Sequence, residues 1–244
     1  MAILRISERN ETGGMSMNPG SINGPNSDHA LAQDAGLRQR FVELWRRTAM
    51  QGASTDPEAI WHELAKHYAA PDRHYHTKQH LAFCLQQLDL AGKRIPHPAR
   101  VEMAIWFHDV IYRSGQRDNE QRSAEWFGQR ASGIIPDDFI DPVLRLIEAT
   151  THLDKVDGLD QQFICDIDLA SFGCPWEQFV RNSEAVRAEY ALPDEEFYRG
   201  EHRFLSTLLQ RPRIFLTDFF HQLYEQQARS NITRFLDLIE QRRT

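Results

Sequence analysis

From about Leu37 to the end of the chain, apolar residues recur at helical spacing, and no run alternates apolar with polar as a half-buried strand would. Val and Ile do not cluster, and no Asn-Gly hairpin joins two apolar runs, so a sheet has little support. Gly and Pro punctuate the helical pattern instead. Asp56-Pro57 reads as an N-cap with Pro at the first helical position, opening a helix to about Tyr68 that Pro71 ends. Helices are then expected from His76 to Ala91 and from Pro98 to about Tyr112. Others are expected near 119–131, 137–151, 175–190, 194–209 and 216–241. Eight to ten helices with short connections predict an all-α, compact multi-helix bundle, taken as one domain over 34–244. Residues 1–33, rich in Gly, Pro, Ser and Asn without apolar periodicity, are expected to form a flexible tail.

Charge and apolar runs exclude several classes. The 28 basic residues against 35 acidic give a net −7, which argues against non-specific nucleic-acid binding. The longest apolar runs, Leu81–Leu85 and Met103–Phe107, are too short to cross a membrane. No apolar core follows basic residues at the start, so no secretory signal is expected. Three cysteines without a C-x-x-C pair make a disulfide framework or a Cys-rich zinc site improbable, and a cytoplasmic location is expected.

Polar residues on apolar faces carry the chemistry. In the third expected helix, Val101, Ala104, Ile105, His108 and Tyr112 share one stripe, so His108 faces the core with Asp109 beside it. A carboxylate drawn inward is costly unless paired or bound to a cation. A buried His–Asp hydrogen bond, or an Asp that reaches solvent, would meet the same need. In the second expected helix, His80 lies one turn before Cys84 at the edge of the stripe Leu81, Cys84, Leu85 and Leu88, with His76 one turn earlier. In Phe163-Ile164-Cys165-Asp166-Ile167-Asp168-Leu169, a helix puts Asp168 inward and Asp166 roughly opposite, whereas a strand would point both the same way. Two imidazoles and two carboxylates from three elements suit Mn, Fe, Ni or Co, with Zn and Mg also admissible.

The order His80, then His108-Asp109, then Asp168 resembles the HD superfamily of metal-dependent phosphohydrolases, whose pattern is H…HD…D on an all-α scaffold. The flanking text resembles a subgroup of uncharacterised predicted HD phosphohydrolases. It comprises Arg73-His74-Tyr75-His76-Thr77-Lys78-Gln79-His80, Ala104 to Tyr112, Asp118-Asn119-Glu120-Gln121-Arg122-Ser123-Ala124, and Glu225 with Ala228-Arg229-Ser230-Asn231-Ile232. The resemblance runs from about residue 38 to the end. It implies that His80, His108, Asp109 and Asp168 hold a divalent metal ion, and that the substrate is a nucleotide or small phosphoester attacked by activated water. The chain also departs from better-known branches. No acidic pair stands three and four residues after Asp109, and no Gly-Tyr-Pro occurs, which argues against alarmone and cyclic-dinucleotide hydrolysis.

Three further groups are candidates. Glu120 shares a face with Ser123, Ala124 and Phe127 and is expected to assist proton transfer beside Asp109, although a helix N-terminus favours a carboxylate in any case. Arg73, His76 and Lys78 precede His80 and are candidates to hold phosphate oxygens, as a solvated basic loop would also look. His152, off the apolar stripe of its helix, ranks below His76 as a phosphate contact. Trp61 to His67 is rejected as a zinc-protease motif, because its two His residues stand five apart, about 140° around a helix. Glu225 and Arg229 read as a helix-supporting ion pair, and Phe215, Phe219, Phe220 and Tyr224 as core. Two other functions compete with hydrolysis. One is a metal- or nucleotide-binding module that regulates a partner without turnover; the other is a structural helical protein.

Overall fold

Pro57 and Asp56 start the second helix as the sequence implies: the Asp56 carboxylate accepts from the backbone N–H of Glu58 and Ala59 at 3.1 Å. The computed structural model describes residues 26–152 and 156–241. Among the described residues there are ten α-helices and no strand. They are α1 (Asn26–Thr48), α2 (Pro57–His67), α3 (Lys78–Ala91), α4 (Pro98–Phe107) and α5 (Asn119–Ala131), then α6 (Asp137–Ala149), α7 (Leu159–Leu169), α8 (Trp176–Ala188), α9 (Asp194–Gln210) and α10 (Asp218–Gln241). A 3-10 turn, Ala170–Gly173, extends α7 and packs on α10. Helix α1 begins at Asn26, so the expected tail boundary at 33 falls inside a helix; the rest of that tail lies outside the described residues.

Helix α4 is the centre of the bundle, with Val101 to Phe107 all buried, and it packs on α1, α3, α5, α6 and α7. Phe41 and Trp45 of α1, Trp61 of α2 and Trp106 and Phe107 of α4 interlock at ring-centroid distances of 5.6–6.1 Å. Each such fully buried ring stabilises the fold by about 2–3 kcal/mol. Phe215 and Phe220 are likewise buried, and Glu225 and Arg229 work structurally. Glu225 accepts the N–H groups of Ile214 and Phe215, while Arg229 donates to the carbonyls of Leu209 and Arg211.

Two helix limits beside the site differ from what the periodicity predicts, at places where side chains replace helical backbone partners. Helix α4 stops at Phe107 rather than near Tyr112. The Arg73 guanidinium donates to the carbonyls of Asp109 at 2.7 Å and Val110 at 2.9 Å. Ser123 then bonds both the N–H and the carbonyl of Ile111. Helix α3 starts at Lys78, capped by Thr77, rather than at His76. One Glu189 oxygen accepts the N–H groups of His74, Tyr75 and His76 at 2.7–2.9 Å and holds those residues as a loop. Both exceptions border the site described next. No helix among the described residues is long and apolar enough to cross a membrane.

Candidate metal centre

Three helices gather four donor side chains around His80. His80 sits in the first turn of α3, His108 caps the C-terminus of α4, Asp109 follows it, and Asp168 is one residue from the end of α7. His80 Nε2 lies 3.3 Å from His108 Nε2, 3.7 Å from Asp109 Oδ2 and 3.2 Å from Asp168 Oδ1. His108 Nε2 lies 3.0 Å from Asp109 Oδ2 and 3.5 Å from Asp168 Oδ1. Nitrogen and oxygen donors about 2.1 Å from one cation stand about 3.0 Å apart along an octahedral edge and about 3.4 Å along a tetrahedral one. The five separations lie near these edges, and two triads, His80–His108–Asp109 and His80–Cys84–Asp168, have donor atoms close enough to one another to hold a metal ion.

The orientation of His108 is fixed by what surrounds it. Its Nδ1 donates to the Ile105 carbonyl at 2.8 Å, which leaves the Nε2 lone pair of the neutral ring aimed at the cluster. Cys84, one turn after His80, brings its Sγ to 3.6 Å from His80 Nε2. Burial and the charges of Asp168 and Asp109 push that thiol well up, so it is a weak donor compared with the carboxylates.

The groups hold one another's charge strongly. Burial works to lower the His108 pKa, but the charge and hydrogen bond of Asp109, with Asp168 behind it, raise it well above the ordinary value. Burial works to raise Asp109 and Asp168, and the neighbouring imidazoles hold both below the usual carboxylate range. Two carboxylates and two imidazoles packed this closely call for positive charge, which protons or a cation can supply.

Around the four donors, the other candidates separate into two groups. His76, His152 and Glu120 line the same cavity as Asp109 and Asp168. His152 Nε2 lies 2.8 Å from Asp168 Oδ2, a closer association with the cluster than its place in the sequence suggests. Its backbone has φ 56°, a left-handed conformation that costs a non-glycine residue about 1–2 kcal/mol. Arg211 steadies it by donating to the His152 carbonyl at 2.7 Å. His76 Nδ1 is 2.6 Å from Glu189 Oε2, and its ring stacks on Tyr112 at 3.8 Å. Burial raises the Glu120 pKa, and the nearby charges of Asp109 and Asp168 raise it further.

Arg73 and Lys78 are engaged elsewhere. Arg73 is buried, with its guanidinium on the backbone carbonyls after α4, and the Lys78 ammonium pairs with Asp34 of α1. Neither lines the cavity. Helical α7 separates Asp168 from Asp166 as the wheel predicts, but Asp166 is not on an outer face. It is fully buried on the opposite side, accepting from Leu216 N, Thr217 N and the Thr217 hydroxyl at 2.6–2.8 Å. The sequence reading missed Glu189, Tyr75 and Ser171. The Tyr75 hydroxyl meets Ser171 Oγ at 2.8 Å, and the Tyr75 ring lies 4.9 Å from that of His80. Glu189 is 113 residues from His76, and no local pattern in the sequence joins them.

The cavity has a volume of about 500 Å³ and reaches from this cluster toward α8 and α9. Comparisons with known protein families, with curated proteins and with solved structures return no match.

Proposed function

We propose that this chain is a metal-dependent phosphohydrolase of the HD type, acting on a nucleotide or small phosphoester. The observation that carries the proposal is the set of five donor separations of 3.0–3.7 Å among His80, His108, Asp109 and Asp168, at the end of a cavity large enough for a substrate. A Mn, Fe, Ni, Co, Zn or Mg ion held there would acidify water and screen phosphoryl charge. The other roles belong to the chain itself. Asp109, which lines the cavity, orients water. Glu120, with its pKa raised by burial and by two carboxylates, exchanges the proton. His76 and His152, held by Glu189 and Asp168, face the phosphoryl oxygens from the cavity wall. Arg73 supports the turn that carries Asp109.

The test is elemental analysis of the protein as isolated, followed by a phosphoester panel with each of these metals restored. The expected result is bound divalent metal and phosphate release that depends on it. A protein that takes up none of these metals and releases no phosphate from any substrate overturns the proposal.

A further inference from the structure

The cavity does not end at the donor cluster. It continues between the Ala170–Gly173 turn, α8 and α9, where Phe172, Phe179, Tyr190, Phe197 and Phe204 line it. Phe172 stands 5.9 Å from Phe179 and 6.3 Å from Phe204 between ring centroids, and Tyr190 stands 5.1 Å from Phe197. Phe172 follows Asp168 by four residues, so the stretch of chain that supplies a donor to the cluster also supplies a wall of the aromatic chamber.

One lining residue does not suit an apolar chamber. Glu201 of α9 lines the cavity half-buried, and among the described residues it has no hydrogen-bond or ion-pair partner. Burial alone pushes its pKa up to about 7. Buried carboxylates elsewhere in the fold have partners: Asp166 accepts from Leu216 and Thr217, Glu189 from His74 to His76, Glu225 from Ile214 and Phe215, and Glu102 pairs with Arg40. A half-buried carboxylate beside aromatic rings is only partly solvated, and no interaction within the fold accounts for Glu201. A ligand that donates to the carboxylate would supply the missing partner. Ring faces attract flat heterocycles and cations alike, whereas an alkyl chain would leave the carboxylate unpaired. Glu196 and Arg203, exposed at the mouth, are of opposite sign and leave the choice to Glu201.

We propose that this chamber binds the organic end of the phosphoester, and that Glu201 is a specificity-determining residue that selects a nitrogen-bearing group. That group is an N–H-bearing nucleobase or an aliphatic ammonium. The placement of the leaving group rests on the phosphohydrolase reading; the preference for nitrogen does not.

Titration calorimetry of the purified full-length chain with guanosine monophosphate, phosphoethanolamine and butyl phosphate tests the assignment. At least one nitrogen-bearing probe should bind more than about tenfold tighter than butyl phosphate. Which one does so identifies the source of the nitrogen. Glu201→Leu should abolish that preference, weakening the preferred probe about 10- to 100-fold while leaving butyl phosphate unchanged. Its melting temperature should hold, because Glu201 makes no hydrogen bond or ion pair among the described residues, so failure to fold is not a confounding result. Glu201→Gln, which keeps an acceptor but no charge, should retain a nucleobase better than an ammonium. The assignment is overturned if neither nitrogen-bearing probe binds, if butyl phosphate binds as well as they do, or if Glu201→Leu binds all three like the parent. Phosphate release is measured separately. A nitrogen preference without turnover sinks only the hydrolase reading, and turnover without the preference sinks only the role of Glu201.

Discussion

Replacing Arg73 with Met should unfold the protein at a markedly lower temperature and loosen metal binding, without Arg73 touching either metal or substrate. The side chain is buried and donates to the carbonyls of Asp109 at 2.7 Å and Val110 at 2.9 Å, with a third, weaker contact to the His76 carbonyl at 3.3 Å. Met fills similar volume and keeps apolar contact with the Tyr68 and Tyr112 rings, over which the guanidinium sits at 5.1 and 5.8 Å. It supplies no donor, so two or three buried carbonyls lose theirs. At roughly 1.5–3 kcal/mol for each charge-assisted bond, offset in part by no longer burying a cation, the loss is about 3–5 kcal/mol. For a chain of this size that corresponds to a fall in Tm of about 6–20 °C. The freed turn carries Asp109, so Mn affinity should fall about 10- to 100-fold, as when a group that orients a metal ligand is removed. Thermal melts followed by circular dichroism and Mn titration calorimetry provide the readings. A Tm within about 2 °C of the parent refutes the clamp. An unchanged Tm with phosphate binding lost would return Arg73 to the role of a phosphate contact.

Three further perturbations test separate parts of the structure. His108→Ala should remove bound divalent metal in elemental analysis and abolish the rise in Tm on adding Mn, because binding to the folded state alone must stabilise it; an undiminished metal content would count against the centre. Burial works to raise Glu189, but the His76 hydrogen bond and charge and the N–H groups of His76 and Tyr75 depress it below its ordinary 4.5. A depressed acid contributes stability above its unfolded pKa and loses it as pH falls through the folded one, so Glu189→Gln should flatten the loss of stability below about pH 4.5 in acid-unfolding curves; curves that stay parallel to the parent's would refute it. Gly173→Ala would place a Cβ 2.5 Å from Tyr224 Cβ and 2.8 Å from its ring, between the 3-10 turn and α10. Overpacking of this kind costs about 1–3 kcal/mol, measurable as a lower urea midpoint, and an unchanged midpoint would show that α10 yields freely.

How far the sequence specifies the site depends on which physical signal each residue answers to. Helical periodicity reports burial, so it brings out His108 and Asp168, which ride on strongly apolar helices, and it gives the all-α class with most helix limits. It says nothing about where a helix must stop for a reason outside itself. Helix α4 ends at Phe107 because Arg73, 36 residues before Asp109, takes the next carbonyls, and the start of α3 is set by Glu189 from α8's C-terminus. Both partners are themselves buried charges, which local pattern reading assigns to solvent or to phosphate. Asp166 illustrates the same limit. The wheel separates it from Asp168 correctly, yet in a multilayered bundle the side facing away from one cavity can face another part of the core, here the start of α10. Helix α7 therefore has two buried carboxylates with different duties: Asp166 accepts three hydrogen bonds that fix the chain entering α10, and Asp168 joins the donors of α3 and α4. A rotation of α7 that moved Asp168 out of the cluster would also tear Asp166 from Thr217. The anchoring of α10 thus holds Asp168 in register, and the geometry of the candidate metal centre depends on a contact on the far side of the helix that bears it.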